Sequence, residues 1–270
     1  MPIYHVDAFT ERPFAGNPAA VCVLTEPQPE SWMQQVAQEM NLSETAFVQR
    51  QENSVGELTG NRFSLRWFTP TTEVDLCGHA TLATAHVLWA EGLLPADEIA
   101  EFETRSGLLT ARRTPAGIEL NFPATLVDPA PAPPGFIEAL GLTATPPFVG
   151  KSRFDYLVEA ASEAEVWQLQ PNFESLRQLP VRGVIVTSRG QSPYDIVSRF
   201  FAPGSGIDED PVTGSAHCAL GPFWQSRLGK SELLAYQASS RGGALQVICQ
   251  GDRVLLRGQA IMVLKGELLA

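Results

Sequence analysis

Arg199-Phe200-Phe201-Ala202-Pro203-Gly204-Ser205-Gly206-Ile207-Asp208-Glu209-Asp210-Pro211-Val212-Thr213-Gly214-Ser215-Ala216-His217-Cys218-Ala219-Leu220-Gly221 holds most of what can be read from this chain of 270 residues. Residues 195–201 are aromatic and β-branched, which predicts a strand ended by Pro203 and Gly204. Three acids follow, and then a run of small residues from Gly214 onward predicts a helix. Gly214 and Ser215 at that helix start leave backbone N–H groups free for an anion. Carboxylates beside such a helix end suggest a site that holds an acid substrate and moves its protons.

The stretch has a second copy upstream. Arg66-Trp67-Phe68-Thr69-Pro70 precedes Arg199-Phe200-Phe201-Ala202-Pro203 by 133 residues, and Gly78 precedes Gly214 by 136. The second loop is therefore three residues longer, and Asp75-Leu76-Cys77-Gly78-His79-Ala80 stands where Asp210 to Ala216 stands. Strand, proline loop, acid, glycine and small-residue helix occurring twice imply two similar halves.

Composition sets the class. A hydrophobic content of 44% with 18% charged residues describes a globular chain with a substantial core, long enough for two domains. A net charge of −11 argues against nucleic acid, which requires a basic footprint. No window reaches the ~18 apolar residues of a membrane span. The start of the chain has neither the basic nor the apolar region of a signal peptide, so a cytoplasmic location is expected. The cysteines at 22, 77, 218 and 249 are scattered and lack CxxC spacing, so neither a zinc site nor a disulfide framework is indicated.

Along the chain, strands are predicted at 2–8 and 19–24, with Gly16-Asn17-Pro18 read as a turn or as a backbone wall near a ligand. An amphipathic helix covers 29–40. Glu44 then lies at the mouth of a strand, among apolar residues, where partial burial would raise its pKa toward the range useful for general acid–base work. A strand at 61–68 leads into a helix over 78–91 with His79 in its first turn, the imidazole pKa expected to be depressed by the helix end. His86, two turns on, reads as structural. Strands near 100–105, 107–113 and 117–122 complete the first half. The five prolines of 123–135 mark a linker, placing one domain at 1–122 and the other at 123–270, with the last strand, about 260–270, crossing back to the first. The second half is expected to contain helices at 136–141 and 172–179, the latter capped by Asn172. Strands are expected at 147–151, 154–160, 182–187 and 194–201. Gly221-Pro222 predicts a kink or break in the helix of 214–228. Four strands close the chain.

Leu42-Ser43-Glu44-Thr45-Ala46-Phe47-Val48, Phe68-Thr69-Pro70 with Cys77-Gly78-His79-Ala80, and Glu209-Asp210-Pro211-Val212-Thr213-Gly214-Ser215-Ala216 occur in one chain. Together with Val6-Asp7-Ala8-Phe9 and Gly16-Asn17-Pro18-Ala19, in this order, they resemble the PhzF-like family of phenazine-biosynthesis isomerases. The resemblance implies an α+β, diaminopimelate-epimerase-like fold: two pseudo-symmetric domains, each a curled mixed or antiparallel β-sheet around a central helix, with the active site in the cleft between them. It also implies cofactor-free isomerisation of a small carboxylate metabolite. Glu44 would take a proton from one carbon and return it to another. His79 and Asp210 would bind polar groups and assist, while Ser215 and the backbone of Gly78 and Gly214 would hold the substrate carboxylate. No cofactor and no metal are expected, and exposed sheet edges suggest a homodimer.

The related two-cysteine epimerases carry one thiol in each half. Cys77 matches the first position and Pro211 is read as occupying the second, so a two-thiol racemase is not expected and Cys77 reads as a packed small residue. Metal binding by Asp208, Glu209, Asp210 and His217 is disfavoured, since consecutive acids cannot all face one ion. A Ser215–His79 hydrolase lacks the G-x-S-x-G elbow. The reading from another class is a non-catalytic carboxylate-binding protein of the same fold.

Overall fold

The computed structural model describes residues 1–52 and 58–269. In chain order the first elements are β1 (Pro2–Ala8), β2 (Asn17–Leu24), α1 (Glu30–Met40), β3 (Glu44–Glu52), β4 (Leu58–Phe68), β5 (Glu73–Val74), α2 (Gly78–Ala90), β6 (Ala100–Thr104), β7 (Gly107–Thr114) and β8 (Gly117–Pro123). Next come β9 (Asp128–Pro129), α3 (Phe136–Leu140), β10 (Phe148–Lys151), β11 (Asp155–Glu159), α4 (Glu163–Gln168), α5 (Phe173–Arg177), β12 (Gly183–Arg189) and β13 (Ile196–Ala202). The chain closes with β14 (Ile207–Asp210), α6 (Gly214–Leu228), β15 (Glu232–Gln237), β16 (Gly243–Gln250), β17 (Arg253–Gly258) and β18 (Ala260–Glu267).

The described chain divides into two compact units: residues 1–122 with those from 256 onward, and residues 123–255. In unit 1 the strands run β18–β1–β2–β3–β4–β6–β7–β8, parallel only at β2–β3 and β4–β6. In unit 2 they run β9–β10–β11–β12–β13–β15–β16, parallel only at β11–β12 and β13–β15. The parallel steps fall at matching places, so the duplication seen in the sequence is a duplication of topology.

Each unit is built on a helix without a polar face. In α2, every residue from Gly78 to Ala85 is buried, as are Val87, Leu88 and Trp89. A helix that is apolar all round must be covered all round, and α2 packs against β1, β2, β3, β7 and β18. In unit 2, α6 buries Ala216 to Gly221, Phe223 and Trp224, and packs against β15 and β16.

Two expectations are corrected. The helix of 214–228 runs unbroken through Gly221-Pro222. Proline removes the N–H that would bond the Cys218 carbonyl, and the Thr125 N–H donates to that carbonyl instead, at 3.0 Å. The orphaned acceptor is satisfied from outside the helix, so the helix need not end there. The chain also forms a helix not foreseen in its sequence, α4, opened by Ser162, whose side chain accepts from the Glu165 N–H. Asn172 caps α5 as expected, accepting from the Ser175 N–H at 3.0 Å.

Candidate functional site

Unit 1 gathers Asn17, Glu44, Cys77 and His79. Glu44 opens β3 and Asn17 opens β2, which pair in parallel with Ala19 opposite Glu44. Cys77 is the N-cap residue of α2, with extended backbone and no side-chain cap bond, and His79 is the second residue of that helix. The His79 imidazole meets Glu44 Oε2 at 3.3 Å through Nε2. Its Nδ1 meets Asn17 Nδ2 at 3.1 Å and Cys77 Sγ at 3.5 Å. Glu44 keeps 13% of its side chain exposed, whereas His79 keeps 4%. Burial alone pushes the His79 pKa down to about 3, so the ring is neutral at physiological pH. The cause is desolvation and not the helix end invoked from sequence.

Asn17 is the residue that sequence reading placed wrongly. Gly16-Asn17-Pro18 does not form a turn: Asn17 and Pro18 lie in β2, opposite Ala8 and Asp7 of β1. Gly16 makes the sharp entry, at φ +65°, and a Cβ there would lie 2.2 Å from the Ala8 carbonyl oxygen. The Asn17 side chain, not the backbone, faces the site.

Unit 2 carries a different set on the same scaffold. Thr213 caps α6, again extended and without a side-chain cap bond. Its hydroxyl donates to Asp210 Oδ2. Its N–H donates to Gln237 Oε1 at 2.8 Å, and Gln237 Nε2 donates to the Asp210 carbonyl at 2.7 Å and to Thr213 Oγ1 at 3.1 Å. His217 Nδ1–H donates to the Thr213 carbonyl at 2.8 Å, and burial pushes its pKa down to about 4 against the opposing effect of that bond. Gly214 is buried and Ser215 half-buried at the helix start.

The three consecutive acids are divided among different partners. Asp208 pairs with Arg177 at 3.1 Å, and Glu209 is held in a bidentate pair by Arg199 at 2.7 and 2.9 Å. Only Asp210 reaches the start of α6. Arg199 has its counterpart in Arg66, which grips Glu73 in the same bidentate way at 2.7 and 2.6 Å. The donor atoms that converge are instead those of Glu44, Cys77 and His79, all within 4.8 Å of one another. Cys77 and Glu44 address opposite nitrogens of the ring, an arrangement suited to passing hydrogen bonds along a chain.

Register identifies the counterparts. Phe47 pairs with Arg66 and Val186 with Arg199, so Glu44 corresponds to Gly183. Equivalent caps make Cys77 correspond to Thr213, and not to Pro211 as expected from sequence; His79 then corresponds to Ser215. The constant spacing of 136 from Gly78 to Gly214 already contained that assignment. Gln237 lies outside every motif and was missed, and Thr213, though inside one, was given no role. His86 lies apart from this constellation, lining a cavity of about 440 Å³ in unit 1 with Trp89 and Arg113.

Comparison with known proteins agrees with this architecture. The family model for "Phenazine biosynthesis-like protein" (PhzC-PhzF) matches residues 6–266. The chain is 53% identical over 270 residues to an uncharacterized isomerase of Halalkalibacterium halodurans, covering 99% of this chain and 98% of that one. It is 46% identical over 268 residues to an uncharacterized isomerase of Pseudomonas aeruginosa, with the same coverage. Among solved structures, a PhzF-family phenazine biosynthesis protein of Enterococcus faecalis superposes with a TM-score of 0.91 at 43% identity, covering 100% of this chain and 99% of that one.

Proposed function

The chain belongs to the PhzC-PhzF family and is an isomerase of the diaminopimelate-epimerase-like fold, and we propose that it moves a proton between carbons of a small carboxylate metabolite with Glu44 as the single acid–base group. The observation that carries this is the contact of the Glu44 carboxylate with neutral His79, 3.3 Å away, beside the uncapped start of α2. A base needs a carboxylate held beside its partners and partly open to substrate, and Glu44 lies against His79 with 13% of its side chain exposed. No cofactor is required by this chemistry: the carbanionic intermediate is stabilised by donors already in place, the backbone N–H groups at the start of α2.

In this reading His79 steadies the Glu44 carboxylate and assists the transfer. Gly78, Gly214 and Ser215 hold the substrate carboxylate, and Asp210, oriented by Thr213, binds a polar group and assists the transfer. A one-base mechanism follows from the counterparts, because Gly183, Thr213 and Ser215 offer no second base where unit 1 has Glu44, Cys77 and His79. A homodimer is the proposed assembly, checked by light scattering of the purified chain. Among the described residues no helix is long and apolar enough to cross a membrane.

Proton NMR in D₂O with a panel of hydroxy, amino and unsaturated carboxylates tests the function, wild type beside Glu44→Gln. Deuterium entering a substrate C–H with wild type alone supports it. Exchange that persists in Glu44→Gln removes Glu44 from the role. Line-broadening of a carboxylate without exchange favours a binding protein instead.

A further inference from the structure

The side chain of Asn17 is fully buried, and its Nδ2 lies 3.1 Å from His79 Nδ1. An amide nitrogen can only donate, so the imidazole nitrogen it faces must present its lone pair. A neutral imidazole has one N–H. With Nδ1 as acceptor, that proton must be on Nε2, the nitrogen 3.3 Å from Glu44 Oε2. The opposite tautomer would set a hydrogen against a hydrogen at Asn17 and a lone pair against a carboxylate oxygen at Glu44. The Asn17 bond sets the tautomer, and the proximity of Nε2 to Glu44, a close contact without hydrogen-bond geometry, is compatible with it.

We propose that Asn17 is a positioning residue: by donating to Nδ1 it locks His79 as the Nε2–H tautomer, so that the ring N–H is the group on the Glu44 side of the imidazole. Cys77, 3.5 Å from the same Nδ1, fits as a second and weaker donor through its S–H. Each partner then has one task. Asn17 sets the proton on the ring, and His79 turns that proton to the Glu44 side. The catalytic importance rests on the acid–base reading of Glu44; the tautomer does not.

The test is long-range ¹H–¹⁵N correlation NMR of the uniformly ¹⁵N-labelled protein, with the His79 signals assigned by their loss in His79→Gln. Wild type is expected to show Nε2 protonated and Nδ1 bare between pH 6 and 8. In Asn17→Asp the carboxylate accepts where the amide donated, so Nδ1 gains a proton. In Asn17→Ala the preference is relaxed and the Nε2–H fraction falls. Wild-type protein with Nδ1 protonated overturns the proposal, and this spectrum decides even if a variant fails to fold. Folded Asn17→Ala and Asn17→Asp proteins that both keep the wild-type pattern overturn it as well. With an exchanging substrate in hand, Asn17→Ala should lower kcat about tenfold with KM nearly unchanged, as for an interaction made in the transition state. A KM effect alone would overturn the positioning role. Exchange surviving in Glu44→Gln with the tautomer as expected would discard the base and keep the lock.

Discussion

The two units share a scaffold down to individual side chains and differ in chemistry at the positions that scaffold presents. Both anchor the central strand by an arginine gripping a glutamate, Arg66 on Glu73 and Arg199 on Glu209. Both start a buried helix at a glycine behind an extended cap with no side-chain bond. Unit 1 then places a carboxylate, a thiol and an imidazole around that start, where unit 2 places glycine, a threonine hydroxyl and a serine. The duplicated scaffold presents two helix starts, and one of them carries a carboxylate and an imidazole in close contact. The other carries a network in which the Thr213 hydroxyl joins the Asp210 and Gln237 side chains, and Gln237 also bonds the backbone of Asp210 and Thr213.

The largest test of this asymmetry compares one substitution in each unit. Glu44→Gln should lower deuterium exchange by about 10²- to 10⁴-fold, the usual contribution of a general acid–base group. Thr213→Val, which removes the hydroxyl's bonds to Asp210 and Gln237 but no candidate base, should cost about tenfold. Equal losses would break the one-base reading.

Stability separates the two arginine pairs in the opposite sense. Arg199 and Glu209 are 11% and 19% exposed, and Arg199 also donates to the Leu169 carbonyl at 2.8 Å. Arg199→Leu strands a largely buried carboxylate and should cost about 3 kcal/mol in urea unfolding. Arg66 is 33% exposed and shares Glu73 with Arg105, which remains in the variant. Arg66→Leu should cost about 1 kcal/mol.

Each unit also buries one neutral histidine at its helix start, and these set a pH dependence. The unfolded chain takes up a proton on each imidazole near pH 6.5, the folded chain only near 3 for His79 and 4 for His217. Unfolding therefore binds protons in that window, and stability must fall as the pH drops through it, by about 1.4 kcal/mol per pH unit for each residue. Denaturant midpoints measured from pH 7 to 5 should fall, and His217→Gln should flatten the slope in part, since His79 and His86, both held below the usual imidazole range by burial, still contribute. The smallest effect is expected at Pro222. Since the Cys218 carbonyl is bonded by Thr125, Pro222→Ala should shift the thermal midpoint by no more than about 0.5 kcal/mol of stability allows.

Most of the strand and helix pattern, the duplication and the family were legible in the chain, which offered Glu44, His79 and Asp210 as candidate residues and read Cys77 as a packed small residue. These signals are local or periodic: alternation, an apolar helix, a glycine at a helix start. Three things were not legible. The side chain of Asn17 looked like part of a turn because Gly-Asn-Pro usually is one, and only pairing with β1 draws it into a strand. Pro222 looked like a helix break because the compensating Thr125 N–H lies far away in the chain. The division of Asp208, Glu209 and Asp210 among Arg177, Arg199 and Thr213 depends on which way each side chain leaves the backbone.

What the chain determines by itself is therefore the kind of scaffold and the chemical types available at its two helix starts, because hydrophobic period and residue type act over short range. Which atoms meet was decided by tertiary structure. A hydrogen bond requires its partners within about 3 Å and correctly turned, and His79 receives its Asn17 bond and its close Glu44 contact from two strands that only the folded sheet brings side by side.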